Sequence, residues 1–148
     1  MLEAKAKEIV SIVNSAYGKL KAVGANEAKH KDSPNKWSKV EILGHLIDSA
    51  SNNHQRFVRV QQTDKLVSPP YQQNEWVSSQ YYNNCNWSEL IEFWRLYNFH
   101  LSHIIKHFPM DKLETPCIIG NNDAKSLYVI LDEYISHLNH HLSQIVEL

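Results

Sequence analysis

Trp37-Ser38-Lys39-Val40-Glu41-Ile42-Leu43-Gly44-His45-Leu46-Ile47-Asp48 carries two signals of a helix start. Ser38 and Glu41 stand in the S-x-x-E spacing of a capping box, and Trp37 and Ile42 occupy the N′ and N4 positions of a hydrophobic staple. Leu43, Leu46, Ile47, Ala50, Phe57 and Val58 then recur at the three-and-four spacing of an amphipathic helix. The helix is expected to end near Gln62, ahead of the breaker Ser68-Pro69-Pro70.

Working outward, Ile9, Ile12, Val13, Ala16, Tyr17 and Leu20 predict a first helix over Leu2–Val23, closed by Gly24 acting as a C′ glycine. Residues 63–85 hold two prolines and many Asn, Gln and Tyr, so they read as a long crossover with one helical turn around Glu75-Trp76-Val77. A third helix starts at Asn86, with Glu89 three residues on as a second capping pair. It carries Leu90, Phe93, Trp94, Tyr97, Leu101 and Ile104 to Phe108. Asp123 is the expected N-cap of the last helix, whose stripe is Leu127, Leu131, Tyr134, Leu138, Leu142 and Ile145. Nothing alternates with period two for long enough to predict a strand, and Ile118-Ile119 is too short. The expected fold is all-α: a four-helix bundle in one domain, residues 1–148, with a long crossover between helices two and three. That crossover lets helices two and three run parallel, with helix four opposed to helix two.

At 148 residues the chain suits one core, and 43% hydrophobic with 21% charged residues is an ordinary globular mix. A net charge of −1 without a basic stripe argues against nucleic acid as a partner. No apolar run approaches the roughly 20 residues that span a bilayer, and the N-terminal residues form no signal-peptide core, so no membrane partner and a cytoplasmic location are expected. Cys85 and Cys117 lie far apart with no C-x-x-C spacing and read as reduced bystanders. What departs from the ordinary is aromatic and imidazole content: nine histidines, four tryptophans and seven tyrosines.

His137 and His141 project from one helix face with Cβ atoms about 5–6 Å apart, a spacing that suits two ligands on one ion. In a chain this rich in histidine the pair alone is weak evidence. On the helical wheel His141 sits at the edge of the apolar stripe, His137 just beyond it, and His140 opposite, in solvent. His45 lies about two turns inside helix two, and His141 about two turns before the end of helix four, so antiparallel packing brings them level. Against this, His45 shares its face with Glu41, Asp48, Asn52 and Arg56, which reads equally as a solvated stripe or as one facing a pocket. His100, His103 and His107 form a rival row along helix three, beside Tyr97, Leu101 and Ile104, and read as a partly exposed seam. Trp87, Trp94, Tyr97 and Tyr134 read as core or interface residues and Trp76 as an anchor for the crossover.

The stretch 37–48, together with Tyr134-Ile135-Ser136-His137-Leu138-Asn139-His140-His141-Leu142-Ser143-Gln144-Ile145 and Leu96-Tyr97-Asn98-Phe99-His100, resembles the DinB-like superfamily of DinB/YfiT-like metalloenzymes. The resemblance implies a four-helix bundle and a metal held by three histidines, His45 matching the first ligand and His137 and His141 the C-terminal pair. It also implies a homodimer. The activities it brings are mixed: transferases using bacillithiol or mycothiol, a maleylpyruvate isomerase, and hydrolases.

Three neutral imidazoles would leave a zinc or nickel ion with an open coordination position. Such an ion lowers the pKa of water or deprotonates a thiol, so a low-molecular-weight thiol is a second cofactor to consider. Asp48 and Glu41, within a turn of His45, are positioned to orient its ring or accept a proton, or serve only solubility. Asn52 and Arg56, farther along, are positioned to receive the carboxylate of a cofactor or small-molecule substrate. Three readings follow: a metal-dependent thiol transferase or hydrolase acting on a small electrophile, a metal-binding protein without turnover, or a helical interaction module whose histidines are incidental.

Overall fold

The computed structural model describes all of residues 1–148. Its helices are α1 (Leu2–Ala22), α2 (Ala25–Lys29), α3 (Lys39–Arg59), α4 (Gln73–Ser79), α5 (Trp87–Lys106) and α6 (Leu127–Leu142). Four of these are long and form the bundle.

Local chemistry explains the helix ends. The Ser38 hydroxyl accepts from the Glu41 backbone N–H at 3.1 Å, and the Glu41 carboxylate accepts from the Ser38 N–H at 3.0 Å, a complete capping box worth about 1 kcal/mol. Asn86 caps α5 by accepting from the Glu89 N–H. Past Arg59 a 3₁₀ turn continues to Gln62, where the helix was expected to end.

Side-chain pairs fix the directions. Tyr17 meets Glu92, and Ser102 donates to the Ala6 carbonyl at 2.9 Å, so α1 and α5 are antiparallel. Lys5 meets Asp132 and Lys19 donates to the Glu147 carbonyl, so α1 and α6 run together. The rings of Phe57 and Tyr134 meet at 6.0 Å and those of His45 and His141 at 4.7 Å, so α6 opposes α3. Helices α3 and α5 are therefore parallel, joined by the crossover, as the sequence suggests. Trp94, Phe57, Leu43, Leu101, Leu131 and Leu138 fill the core between the four.

Four expectations fail. Residues Leu66–Ser68 (β1), Pro116–Ile119 (β2) and Lys125–Ser126 (β3) form a sheet, β1 parallel and β3 antiparallel to β2. Strands this short carry no readable alternation, and they exist because two connections meet over the end of the bundle. Since β3 runs into α6, the cap of that helix is Ser126, accepting from the Val129 N–H at 3.3 Å, and not Asp123. Gly24 is not a left-handed C′ residue either: with φ −67° it stands at the N-cap of α2. The helical part of the crossover is also longer than one turn, and a 3₁₀ turn over Tyr82–Asn84 follows it.

These additions matter for α3. Helix α4 and the 3₁₀ turn pack on its outer side while α5 and α6 pack on the other, so every residue from Ile42 to Ala50 is buried. Gly44 makes this possible, because a Cβ there would overlap the Tyr82 ring. No helix is long and apolar enough to cross a membrane.

Candidate metal centre

The row that starts at His45 on α3 continues at i+4, i+8 and i+11 with Ser49, Asn53 and Arg56. Facing it on α6 are Ile130, Glu133, Tyr134, His137 and His141, again one helical face. Antiparallel packing sets the two rows against each other, with the histidines at one end and Arg56 at the other.

At the histidine end, Nε2 of His45 and Nε2 of His137 stand 3.0 Å apart. The ring centroids of His45, His137 and His141 are 4.4–4.9 Å from one another, and one ring nitrogen from each lies within 4.8 Å of the others. Gln144 Oε1 lies 2.9 Å from His141 Nδ1, which orients that ring and leaves Nε2 free. The Trp37 ring covers His45 at 4.8 Å.

The charge state follows from burial. His45 is fully buried, and burial first, then the neighbouring His137 and His141, push its pKa from 6.5 to about 3. Burial first, then His141 and His140, push His137 to about 4. Both rings are therefore neutral at pH 7, the state in which an imidazole ligates a metal.

The donor set fits a divalent ion. Bond lengths of about 2.0–2.1 Å at a tetrahedral centre put two ligand nitrogens about 3.3 Å apart. The 3.0 Å between the two Nε2 atoms needs only a slight opening to reach that. Nδ1 of both His45 and His137 is buried without a hydrogen-bond partner, so the two rings face each other through Nε2, the atoms an ion would take. No other trio of histidine, cysteine or acidic side chains converges in this way. The row His100, His103 and His107 stays on the surface of α5, its first two rings 6.4 Å apart, with His100 also meeting His54 at 5.2 Å.

A cleft of about 220 Å³ runs from His137 between the two rows, lined by Ser49, Asn53, Arg56, Glu133 and Tyr134, with Tyr71 from the crossover and Ile119 from β2. Tyr134 is held in the wall by donating to Asn98 Oδ1 at 2.6 Å.

The structure sorts the four polar residues read from the α3 wheel. Glu41 is committed to the helix cap and to Lys31 at 2.7 Å, and it makes no bond to His45. Asp48 is buried, its Oδ1 accepting from Tyr82 at 2.6 Å and Gln80 at 2.8 Å, while Oδ2 has no partner and no hydrogen bond joins it to His45. Burial raises its pKa against the opposing pull of those two donors. Asn52 donates to the Asp48 carbonyl at 2.9 Å and lies outside the cleft, where Asn53 takes the place foreseen for it. Arg56 does line the cleft. Ser49 and Asn53 lie on the i+4 row of His45 and were readable from it. Tyr71, Ile119, Tyr82 and Gln80 come from connections whose path no periodicity reveals.

Comparison with known proteins agrees with this architecture. No curated protein matches the chain. Among solved structures it is similar to a Bacillus subtilis protein described as "YfiT from Bacillus subtilis is a probable metal-dependent hydrolase with an unusual four-helix bundle topology". The TM-score is 0.78 at 15% identity, covering 95% of this chain and 83% of that one, a likeness of fold. The family description "DinB superfamily" matches residues 17–145. Over that span, which takes in all three converging histidines, the chain belongs to the DinB superfamily.

Proposed function

We propose that this protein is a metal-dependent hydrolase of a small molecule, with a divalent ion held by His45, His137 and His141. The observation that carries the reading is the convergence of three imidazoles, two of them neutral at pH 7, with one of those, His137, lining a cleft. An all-imidazole set favours zinc or nickel. When bound, such an ion supplies a Lewis acid for a carbonyl or phosphoryl oxygen and lowers the pKa of water.

The rest is the work of the chain. Gln144 and Trp37 fix the rings of His141 and His45, so that ligand nitrogens need little rearrangement. Glu133, one turn before His137 on the same face, is the cleft's one carboxylate, and it takes the proton that a hydrolysing water gives up. Lys125 holds its Oε1 at 2.6 Å and leaves Oε2 for that task. Ile119, Ile130 and Tyr134 keep bulk water from the far wall.

Hydrolysis is favoured over thiol transfer by size. About 220 Å³, below the roughly 300–1,000 Å³ of pockets that hold drug-sized ligands, suits water and one small substrate better than a thiol cofactor and a second substrate together. The likeness to a protein described as a probable metal-dependent hydrolase supports the same choice.

Elemental analysis of untagged protein tests the metal, and turnover of a panel of small esters and amides, with and without chelator, tests the chemistry. One equivalent of metal in the wild type and little in His137→Ala is expected, with chelator-sensitive hydrolysis. Equal metal in the two proteins would remove the site, and metal without turnover would leave a binding protein.

A further inference from the structure

The opposite end of the cleft holds a charge that the fold does not neutralise. Arg56 is only 7% exposed, yet no acidic side chain pairs with it. The other arginines are ordinary: Arg95 pairs with Glu92 at 2.9 Å, and Arg59 donates to Gln55 on the surface. Arg56 has five N–H donors and two long hydrogen bonds, both 3.4 Å, from Nε to Ser68 Oγ and from Nη2 to the Pro69 carbonyl. Both are near the outer limit for a hydrogen bond, and Nη1 has no protein partner. Burying a guanidinium without a counter-ion costs several kcal/mol. Such an expense persists where an anion arrives to meet it.

We propose that Arg56 receives the carboxylate of the substrate, so that the protein hydrolyses small esters or amides whose far end carries a carboxylate. This rests on the hydrolase reading above and adds the substrate class to it. A carboxylate matches the planar fork of a guanidinium, two parallel N–H···O bonds replacing the loose pair Arg56 now makes. A phosphate dianion matches less well, because a single arginine leaves its second charge uncompensated beside Glu133.

Geometry sets the spacing. Arg56 lies about three turns beyond His45, about 16 Å along the helix axis at ~1.5 Å per residue. Its side chain shortens that distance, since helical side chains lean toward the N-terminus. The carboxylate therefore docks away from the metal, and the reacting bond lies toward His137. Ile119 and Ile130 give the cleft an apolar wall for a short spacer, and Ser49 and Asn53, between His45 and Arg56 on α3, offer polar contacts along it. The sheet builds this end: β1 brings Ser68 and Pro69 to Arg56, and the Gly120 N–H donates to the Ser68 carbonyl at 3.0 Å to hold it there.

The test uses metal-free protein, dialysed after chelation, so that it does not depend on the ion. Binding of N-acetylglycine is compared by calorimetry with that of its neutral amide, N-acetylglycinamide. The acid is expected to bind at least about tenfold more tightly, because a site built for a charged group leaves that group unpaired with the neutral analogue. The preference should weaken with salt, vanish in Arg56→Gln and persist in His137→Ala. Removing an unpaired buried charge should not unfold the protein, so Arg56→Gln is expected to melt no lower than wild type. Equal binding of acid and amide by the wild type, which needs no variant, overturns the proposal. So does a preference that survives Arg56→Gln. Loss of metal in His137→Ala with the acid preference intact would support both readings, whereas equal metal content would sink the hydrolase and leave the anion site standing.

Discussion

Acid should destabilise the metal-free protein through His45 and His137 in particular. An unfolded chain titrates its histidines near 6.5, whereas the folded values are about 3 and about 4. Both are depressed, so below pH 6.5 the unfolded state takes up protons that the native state refuses, and stability falls with pH until the folded values are reached. At pH 5 each imidazole is about 1.5 units below its unfolded pKa, about 2 kcal/mol apiece at 1.36 kcal/mol per unit. His137 is half-buried and partly screened, so the pair together should cost about 3 kcal/mol between pH 7.5 and pH 5. Asp48 acts in the opposite sense, because its raised folded pKa favours the native state as it gains a proton. Urea unfolding at a series of pH values, in chelator, measures the sum, and the variant His45→Asn isolates one part. Whatever His45→Asn costs through packing is constant with pH, so only the slope matters. The variant should lose about 2 kcal/mol less than wild type between pH 7.5 and pH 5. Parallel curves for the two proteins would show that His45 is protonated as readily in the fold as in water, and the neutral ligand set would be refuted.

Zinc should stabilise the wild type: at a hundredfold excess over Kd the gain is about 2.7 kcal/mol, or roughly 5–10 °C in Tm, and scanning calorimetry should show neither that gain nor its loss on acidification in His137→Ala. Gly44→Ala should cost about 1–3 kcal/mol in urea unfolding, because the added methyl overlaps the Tyr82 ring and one of the two must move. Tyr82→Phe removes the 2.6 Å donor to the buried Asp48 carboxylate and should cost about 1–3 kcal/mol at pH 7, with less lost at acid pH where Asp48 is protonated.

The helices and their directions were legible because each carries its own evidence: a 3.6-residue stripe, a capping box at Ser38, a cap at Asn86. The sheet was not, since β1 and β2 have three and four residues and owe their pairing to chain segments about 50 positions apart. The last cap falls elsewhere for the same reason: Asp123 is a good capping residue by type, but β3 carries the chain three residues farther and hands the role to Ser126. At the site, the level of His45 against His141 followed from helix lengths. Which side of α3 was dry did not. Its polar stripe resembles a solvated face in one dimension, and it is buried only because α4 and Tyr82 fold back over it. The wheel read around His45 selected Asn52 with Arg56, whereas stepping from His45 by four and eight residues selects Ser49 and Asn53, which line the cleft with Arg56.

The distribution of unsatisfied groups argues that this cleft was kept for something other than stability. Four buried side-chain polar atoms lack partners: His45 Nδ1, His137 Nδ1, Asp48 Oδ2 and Trp94 Nε1. Three of the four belong to the facing polar rows or their immediate neighbour on α3, and Arg56 adds a buried charge without a counter-ion on the same helix. Each unmet group costs about 1–3 kcal/mol, while leucine or methionine at the same positions would pack against Leu138 and Phe57 at no such cost. Elsewhere the chain agrees with itself, its caps, stripes and core all favouring one bundle. Apart from Trp94 Nε1, the unmet groups gather around the histidines and along α3, beside the facing Nε2 atoms that would take a cation at one end and the guanidinium that would take an anion at the other.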